Sequence, residues 1–475
     1  MNWKKAVSAL LVSAMTISMA ACGNSGSSIS SNADGAGNEA DGHEAVGTES
    51  AEGDASTGEK LVVWTLSNDL IDFGKRYQEQ TGVKVDTVVI EPDNYPTKVQ
   101  TALLAGEKEP DIIVGEPKML DDFYDAGFFE DLDQFGAQDY ADQIVDYVWD
   151  VGKSDDGVQR AISYQITPLG IYYRRDIAQK VFGTDDPEEI GKLFADYDTI
   201  LDTAQKLKDA GYRIFSSDAE LGKFANTSAW VVDGALNVSQ SRYDYMDSCV
   251  KLYQDDLTAY ANTWSTPWYQ AMGGEVPILT ADIQNYADDS VNVWDEAEFE
   301  EATKDMEKTE VFAFGLPAWG VLTLRDHVGD TSGSWGVCTG PAYGFDGGTY
   351  IGISSQSEKK DLAWDFVKFC TLNEDTAEWW IEFSEGDTVS LKSVLDKHKD
   401  DENKVYGGQK LYQFWLEQAE HIDTSIVTRY DKAIEDTWGS AVSKVKTGEA
   451  TKEEAVAEFY DKIESDYPDI TVNRE

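Results

Sequence analysis

The chain has 475 residues, 41% of them hydrophobic, and a formal net charge of -50. That is long enough for about two or three domains with substantial cores, and too acidic for a nucleic-acid or polyanionic partner. Four cysteines, one of them near the N-terminus, leave Cys249, Cys338 and Cys370 able to form at most one internal disulfide, which excludes a disulfide scaffold.

The elements follow in chain order. Lys4 and Lys5 open with positive charge, and residues 6–17 form a mostly apolar run, too short for the roughly 20 residues that span a bilayer. Small residues come next, so residues 1–21 read as a secretory signal peptide. The run ends in Met19-Ala20-Ala21-Cys22, which resembles the bacterial lipobox with Met19 where Leu is usual. The resemblance implies that Cys22 becomes a lipidated mature N-terminus, each buried CH₂ of its acyl chains contributing about 0.8 kcal/mol. The plainer alternative is cleavage near Ala20 or Ala21 and an incidental cysteine. Residues 22–59 are Gly, Ser, Ala, Asn and acid with no aromatic residue, a composition that predicts a disordered tether with a span of roughly 30–36 Å.

Order is expected from "KLVVWTL" onward. Residues 61–66 read as a buried strand. Leu70, Phe73 and Tyr77 recur at helical spacing, with Gly82 as the stop. "VKVDTVVI" predicts a strand, residues 96–106 a helix, "PDIIVGE" a third strand, and residues 119–126 a helix ended by Gly127. Strand-helix-strand-helix-strand predicts parallel pairing with right-handed crossovers and ligand chemistry at the strand C-terminal ends. Beyond this, "RAISYQI" and "LGIYYRR" are short β runs, and residues 187–260 read as mainly helical. "VFAFGLPAWG" is a strand entering a Pro/Gly turn, and "GGTYIGIS" is another strand. "EKKDLAWDFVKFC" is an amphipathic helix with Cys370 on its inner face, and residues 405–465 are helical again.

Common catalytic signatures are missing. The four histidines form no H-E-x-x-H, and there is no G-x-S-x-G elbow, Walker A loop or strand-borne G-x-G-x-x-G. "DLDQFG" at 131–136 comes closest to a calcium loop but has Phe135 where a liganding oxygen is needed. A glycosidase needs only two carboxylates, and 89 Asp and Glu leave that class open. No cofactor is expected.

What stands out is aromatic. There are 14 Trp and 23 Tyr, most of them ordinary core candidates. Trp64 lies near the end of the first strand, followed by "TLSND". Trp319 sits in "LPAWG" between Pro317 and Gly320, a turn that rarely reaches core. Trp335 sits in "SGSWGV". Flat rings beside small polar groups suit a pyranose, whose CH face stacks and whose hydroxyls take bidentate hydrogen bonds. A stack that removes about 100 Å² from water contributes roughly 2.5 kcal/mol, so two or three approach the 8 kcal/mol or so of a micromolar complex. Peptides and quaternary amines also use aromatic boxes.

At this point the chain resembles the extracellular solute-binding proteins of carbohydrate ABC transporters, the group that includes maltose-binding protein. The similarity covers most of residues 60–475 and rests on "FGKRYQEQTGVKVD", "AGEKEPDIIVGE", "AISYQITPLGIYYRRDI" and "GGTYIGISSQSEKKDLAWDFVKFC" in that order. It implies an α/β, two-lobed periplasmic-binding-protein fold of type II kind with a hinge. Lobe 1 is expected over residues 60–165 plus 347–395, and lobe 2 over 166–346 plus 396–475. The resemblance also implies a monomer that delivers its ligand to a permease from the outer face of a Gram-positive cell membrane. In relatives a pocket tryptophan stands where "LPAWG" falls. One departure is Asp346, where many relatives have an aromatic residue before Gly-Gly. Expected stacking residues are Trp64, Trp319, Trp335 and Tyr343, and expected hydroxyl partners are Asp69, Glu116 and Gln165. The rival readings are a surface-anchored glycan hydrolase and a binder of peptides or amines.

Overall fold

The structure is a computed structural model that describes residues 60–279 and 291–474. The expected signal peptide, lipidated Cys22 and tether lie outside the described residues.

The first sheet starts as the strand-helix rhythm requires. Strands β1 (Lys60–Thr65), β2 (Lys84–Val89) and β3 (Ile112–Gly115) pair in parallel with β1 in the middle. Helix α1 (Asp69–Thr81) buries Leu70, Phe73 and Tyr77, a stripe at helical spacing, and Gly82 ends it in the left-handed region at φ 77°, where the missing Cβ removes the steric penalty. Helix α2 (Tyr95–Leu104) makes the next crossover and α3 (Pro117–Asp125) follows β3. Asp111, 1% exposed, explains the Pro-Asp start of β3. Its carboxylate accepts the Val62 N–H at 3.0 Å, the Ser357 hydroxyl at 2.6 Å and the Lys359 ammonium at 2.9 Å, tying the first strand to the returning chain. That return, β12 (Tyr350–Ile353), joins β3 antiparallel, and β4 (Ile162–Ser163) closes the order β2-β1-β3-β12-β4.

The second sheet has the order β11-β5-β10-β6, with β5 Leu169–Arg174, β6 Arg213–Phe215, β10 Lys308–Pro317 and β11 Trp335–Cys338. Strand β9 (Glu275–Pro277) pairs with the start of β10. Between β6 and β9 lies a hairpin of β7 (Val231–Val232) and β8 (Ala235–Leu236). Residues 187–260 are mainly helical, as their pattern predicts, with short strands between the helices. Pro187–Gly191, Tyr197–Asp209 and Gln240–Gln254 are helices, but β6 and the hairpin intervene. A three-residue strand is too short to show a period of two, and β6 exists because β10 lies beside it. The C-terminal helices Asp431–Lys446 and Lys452–Asp466 pack with Gln240–Gln254 around Trp230, Trp438 and Phe459.

The mixed α/β architecture is thus two-lobed, each lobe built on its own sheet, and three segments pass between them. Ser390 donates its N–H to Tyr164 O at 2.7 Å and its hydroxyl to Ser163 O at 2.7 Å, and Thr388 donates to Ile166 O. Thr167 donates to Gly347 O at 3.2 Å. Strand ends 163–168, 345–349 and 387–391 are therefore bonded to one another where the lobes meet. Cys249, Cys338 and Cys370 are free and buried; the last lies on the inner face of helix Lys360–Thr371.

Candidate functional site

A cavity of about 970 Å³ opens where the strands of both lobes end. After β1 come Ser67 and Asp69, after β3 Glu116 and Lys118, and after β10 Trp319. The crossings add Gln165 and the run from Phe345 to Thr349. Each chain segment must turn as its strand finishes, which leaves side chains and helix starts pointing into the gap.

Four of the cavity's charged side chains form ion pairs with one another. Lys118 on lobe 1 donates to Glu435 on the C-terminal helix pair at 2.5 Å and lies 3.7 Å from Asp346. Lys223 meets the other Asp346 oxygen at 2.9 Å, and Asn226 donates to Glu435 at 2.6 Å. Burial would raise the Asp346 carboxyl, but Lys223 and Lys118 hold it below the usual carboxylate range. Asp69 accepts from the Ser67 hydroxyl at 2.7 Å and from Tyr164 OH at 2.6 Å. Glu116 differs: its carboxylate makes no hydrogen bond among the described residues, and burial together with nearby Asp346 pushes it up to about 7.

The aromatic part lies on the second lobe. Trp319 is half-buried; its indole N–H donates to Asp346 O at 3.2 Å, and the Lys223 ammonium lies 5.1 Å from its ring centre. Trp264 stacks on it with centroids 5.7 Å apart and planes 21° from parallel. Gly347 and Gly348 have φ of 75° and 114°, and a Cβ on Gly347 would sit 3.2 Å from the Trp319 indole nitrogen. The glycine pair thus lets the crossing pass close behind the indole.

The cavity lining includes Asp69, Glu116, Gln165, Trp319 and Tyr343. Gln165 is buried at the hinge, its amide donating to Thr349 at 3.3 Å. Tyr343 is 49% exposed and lies against His421, centroids 4.4 Å apart. Two expected stacking residues are placed elsewhere. Trp335 is fully buried, its indole N–H donating to Thr331 at 2.8 Å and its ring packing on Phe314. It opens β11, which pairs with β5 inside the second lobe, so it is core. Trp64 is half-buried and outside the cavity lining, because its ring turns toward α2 with the Lys98 ammonium 5.0 Å from the ring centre. Trp264, Lys118, Lys223, Asp346 and Glu435 also line the cavity and are not among the site residues expected from the sequence. Trp264 stands in "NTWSTPW", small and polar residues leading to Pro267, the same kind of turn that singled out Trp319.

With this geometry, similarity to known proteins can be read. A curated relative, the putrescine-binding periplasmic protein of Pseudomonas aeruginosa, is 27% identical over 150 residues, 32% of this chain. The matched stretch spans only 39% of that relative's length. Among solved structures, the binding protein of B. animalis subsp. lactis in complex with β-1,6-galactobiose superposes with a TM-score of 0.66 at 19% identity, covering 88% of this chain and 100% of that one. The Bifidobacterium longum protein with lacto-N-biose gives 0.65 at 15% identity over 88% and 100%, and maltose-bound MalE3 of T. maritima gives 0.63 at 15% over 86% and 100%. At such identities the likeness establishes the shared two-lobed fold. The profile of the bacterial extracellular solute-binding proteins matches residues 72–405, and the chain belongs to that family.

Proposed function

We propose that the protein binds a carbohydrate, most simply an oligosaccharide, between its lobes and delivers it to the permease of an ABC importer without chemical change. The observation that carries this reading is the paired indoles Trp319 and Trp264 in an interlobe cavity where Lys118 and Lys223 pair with Glu435 and Asp346. An apolar ring face suits the CH face of a sugar, and a rim of polar side chains suits hydroxyls. That three structurally similar proteins hold β-1,6-galactobiose, lacto-N-biose and maltose supports it. In this reading Cys22 carries the lipid that holds the chain at the outer face of the cell membrane, and the domain boundaries are those expected from the sequence.

A panel of maltose, lacto-N-biose and β-1,6-galactobiose, read by thermal shift, tests it, because a ligand that binds only the folded state raises the melting temperature. No shift with any saccharide would remove the reading. Release of reducing ends would replace it with a hydrolase. A second reading, an amine ligand, rests on Glu116, the cavity carboxylate without a hydrogen-bond partner among the described residues, and on the putrescine-binding relative. Putrescine in the same panel decides between them. Labelling with a palmitate analogue, lost in Cys22→Ala, tests the anchor.

A further inference from the structure

Trp264 is a bulky side chain on a backbone at φ 69°, a region that such residues rarely adopt, and it is 49% exposed to the cavity it lines. An exposed indole would ordinarily fold back onto the surface. Here the space behind it is already filled. Its ring leans on Trp268, centroids 5.0 Å apart, as well as on Trp319. Trp268 is fully buried and donates its indole N–H to Glu220 at 2.9 Å. Glu220 in turn accepts the Ser216 hydroxyl at 2.5 Å and the Gly315 N–H of β10 at 2.9 Å. Trp264 is therefore the exposed end of a packed, hydrogen-bonded stack rooted in the second sheet, and its outer face is held ready instead of swinging free. Trp319 has less to offer: Trp264 covers it, Lys223 lies over its ring, and its N–H is already bonded. A cavity of about 970 Å³ also lies at the upper end of the 300–1,000 Å³ or so found for small-molecule sites.

We propose, resting on the carbohydrate reading above, that Trp264 is a specificity-determining residue whose open face takes a second sugar ring. The site is then built for saccharides of two or more rings in preference to monosaccharides. The test is calorimetric titration of the full chain with two matched pairs, maltose with glucose and lacto-N-biose with galactose. The unsubstituted chain binds one of the disaccharides more tightly than the matched monosaccharide. Trp264→Ala weakens disaccharide binding about tenfold or more and leaves monosaccharide binding within about twofold, with an unchanged melting temperature. Trp264→Phe, which keeps a flat face in the same packing, recovers most of the affinity, whereas Trp264→Leu, which keeps bulk alone, stays weak. Unchanged disaccharide affinity in Trp264→Ala and Trp264→Leu, equal loss for both members of a pair, or a wild-type preference for the monosaccharide overturns the proposal while sugar binding itself stands. Absence of binding by any of the four sugars overturns this proposal together with the carbohydrate reading.

Discussion

Lobe 1 lines the cleft with Ser67, Asp69, Glu116 and Lys118, carried on the turns that follow two parallel strands. Lobe 2 lines it with Trp319, Trp264 and Tyr343, carried on Pro/Gly-rich turns around a mainly antiparallel sheet. The first wall is hydrogen-bonding and charged; the second adds flat aromatic faces to polar groups of its own, among them Lys223, Asn226, Ser228 and Arg242. The contrast teaches how such a site divides its labour. Apolar area gives affinity with little directionality, while polar groups give orientation and cost free energy when left unpaired. The proposed function predicts that lobe 2 holds the ligand and that lobe 1 closes over it by motion about the crossings.

The contrast can be broken most forcefully at two tryptophans of the same lobe. Trp335→Ala opens a cavity in the core and is expected to cost about 3–5 kcal/mol of stability, read as a lowered denaturation midpoint. Trp319→Ala instead removes the ring on which Trp264 stacks. By unseating Trp264, that loss should weaken saccharide binding about tenfold, with little change in melting temperature. If the second variant unfolds and the first merely loses ligand, the assignment of core and wall is reversed.

Titration sharpens the comparison next. Burial raises six carboxyls from ordinary values of 4.5 for Glu and 3.8 for Asp: Glu116 and Asp387 to about 7, Asp121 and Asp431 to about 6, and Asp122 and Glu220 in the same direction. Between the ordinary and the raised values the folded chain holds more protons than the unfolded one, so this stability is present at the acid end and is lost as pH rises through about 6–7. Asp346, held low by its lysines, acts in the opposite sense, but only as pH falls below 3.8. The melting temperature should therefore decline from about pH 5 to about pH 7.5, and Glu116→Gln should flatten part of that decline. A melting temperature that rises over this range would show that burial does not dominate these carboxyls.

The smallest effect belongs to the contact between the walls. Lys118 and Glu435 are 40% and 20% exposed, so a double-mutant cycle should report a coupling of no more than about 1 kcal/mol, shrinking in high salt. Arg429 bridges the same seam to Asp125 and Asp155, and Arg429→Ala should shift small-angle scattering toward a more open form without ligand. Unchanged profiles would mean that the crossings alone set the lobe angle.

How much could be read in advance differs between the two sheets. From β1 to α3 each strand and helix of lobe 1 is long enough to show its period, and consecutive elements are spatial neighbours; the two-residue β4 is too short to do so. The stripe Leu70, Phe73, Tyr77 and the stop at Gly82 were therefore legible. Lobe 2 pairs strands distant in sequence, β10 between β5 and β6, and its shortest strands carry no pattern of their own. The two misplaced tryptophans have the same origin. Trp64 stands near a strand end and Trp335 beside small turn residues, as Trp319 does, but whether a ring points to a cavity, to α2 or to a core depends on the neighbouring strand.

Local chemistry alone was enough to set the first-lobe elements, the strand-end location of the ligand-facing turns, the scarcity of catalytic motifs and the candidacy of Trp319, because each follows from residues a few positions apart. Long-range packing decided that Trp335 is core, that Trp264 is held out on Trp268, and that Lys118, Lys223, Asp346 and Glu435 neutralise one another. Those outcomes depend on distances of a few ångströms between segments far apart in the chain, and a carboxylate or an indole acquires its role only from what the fold sets beside it.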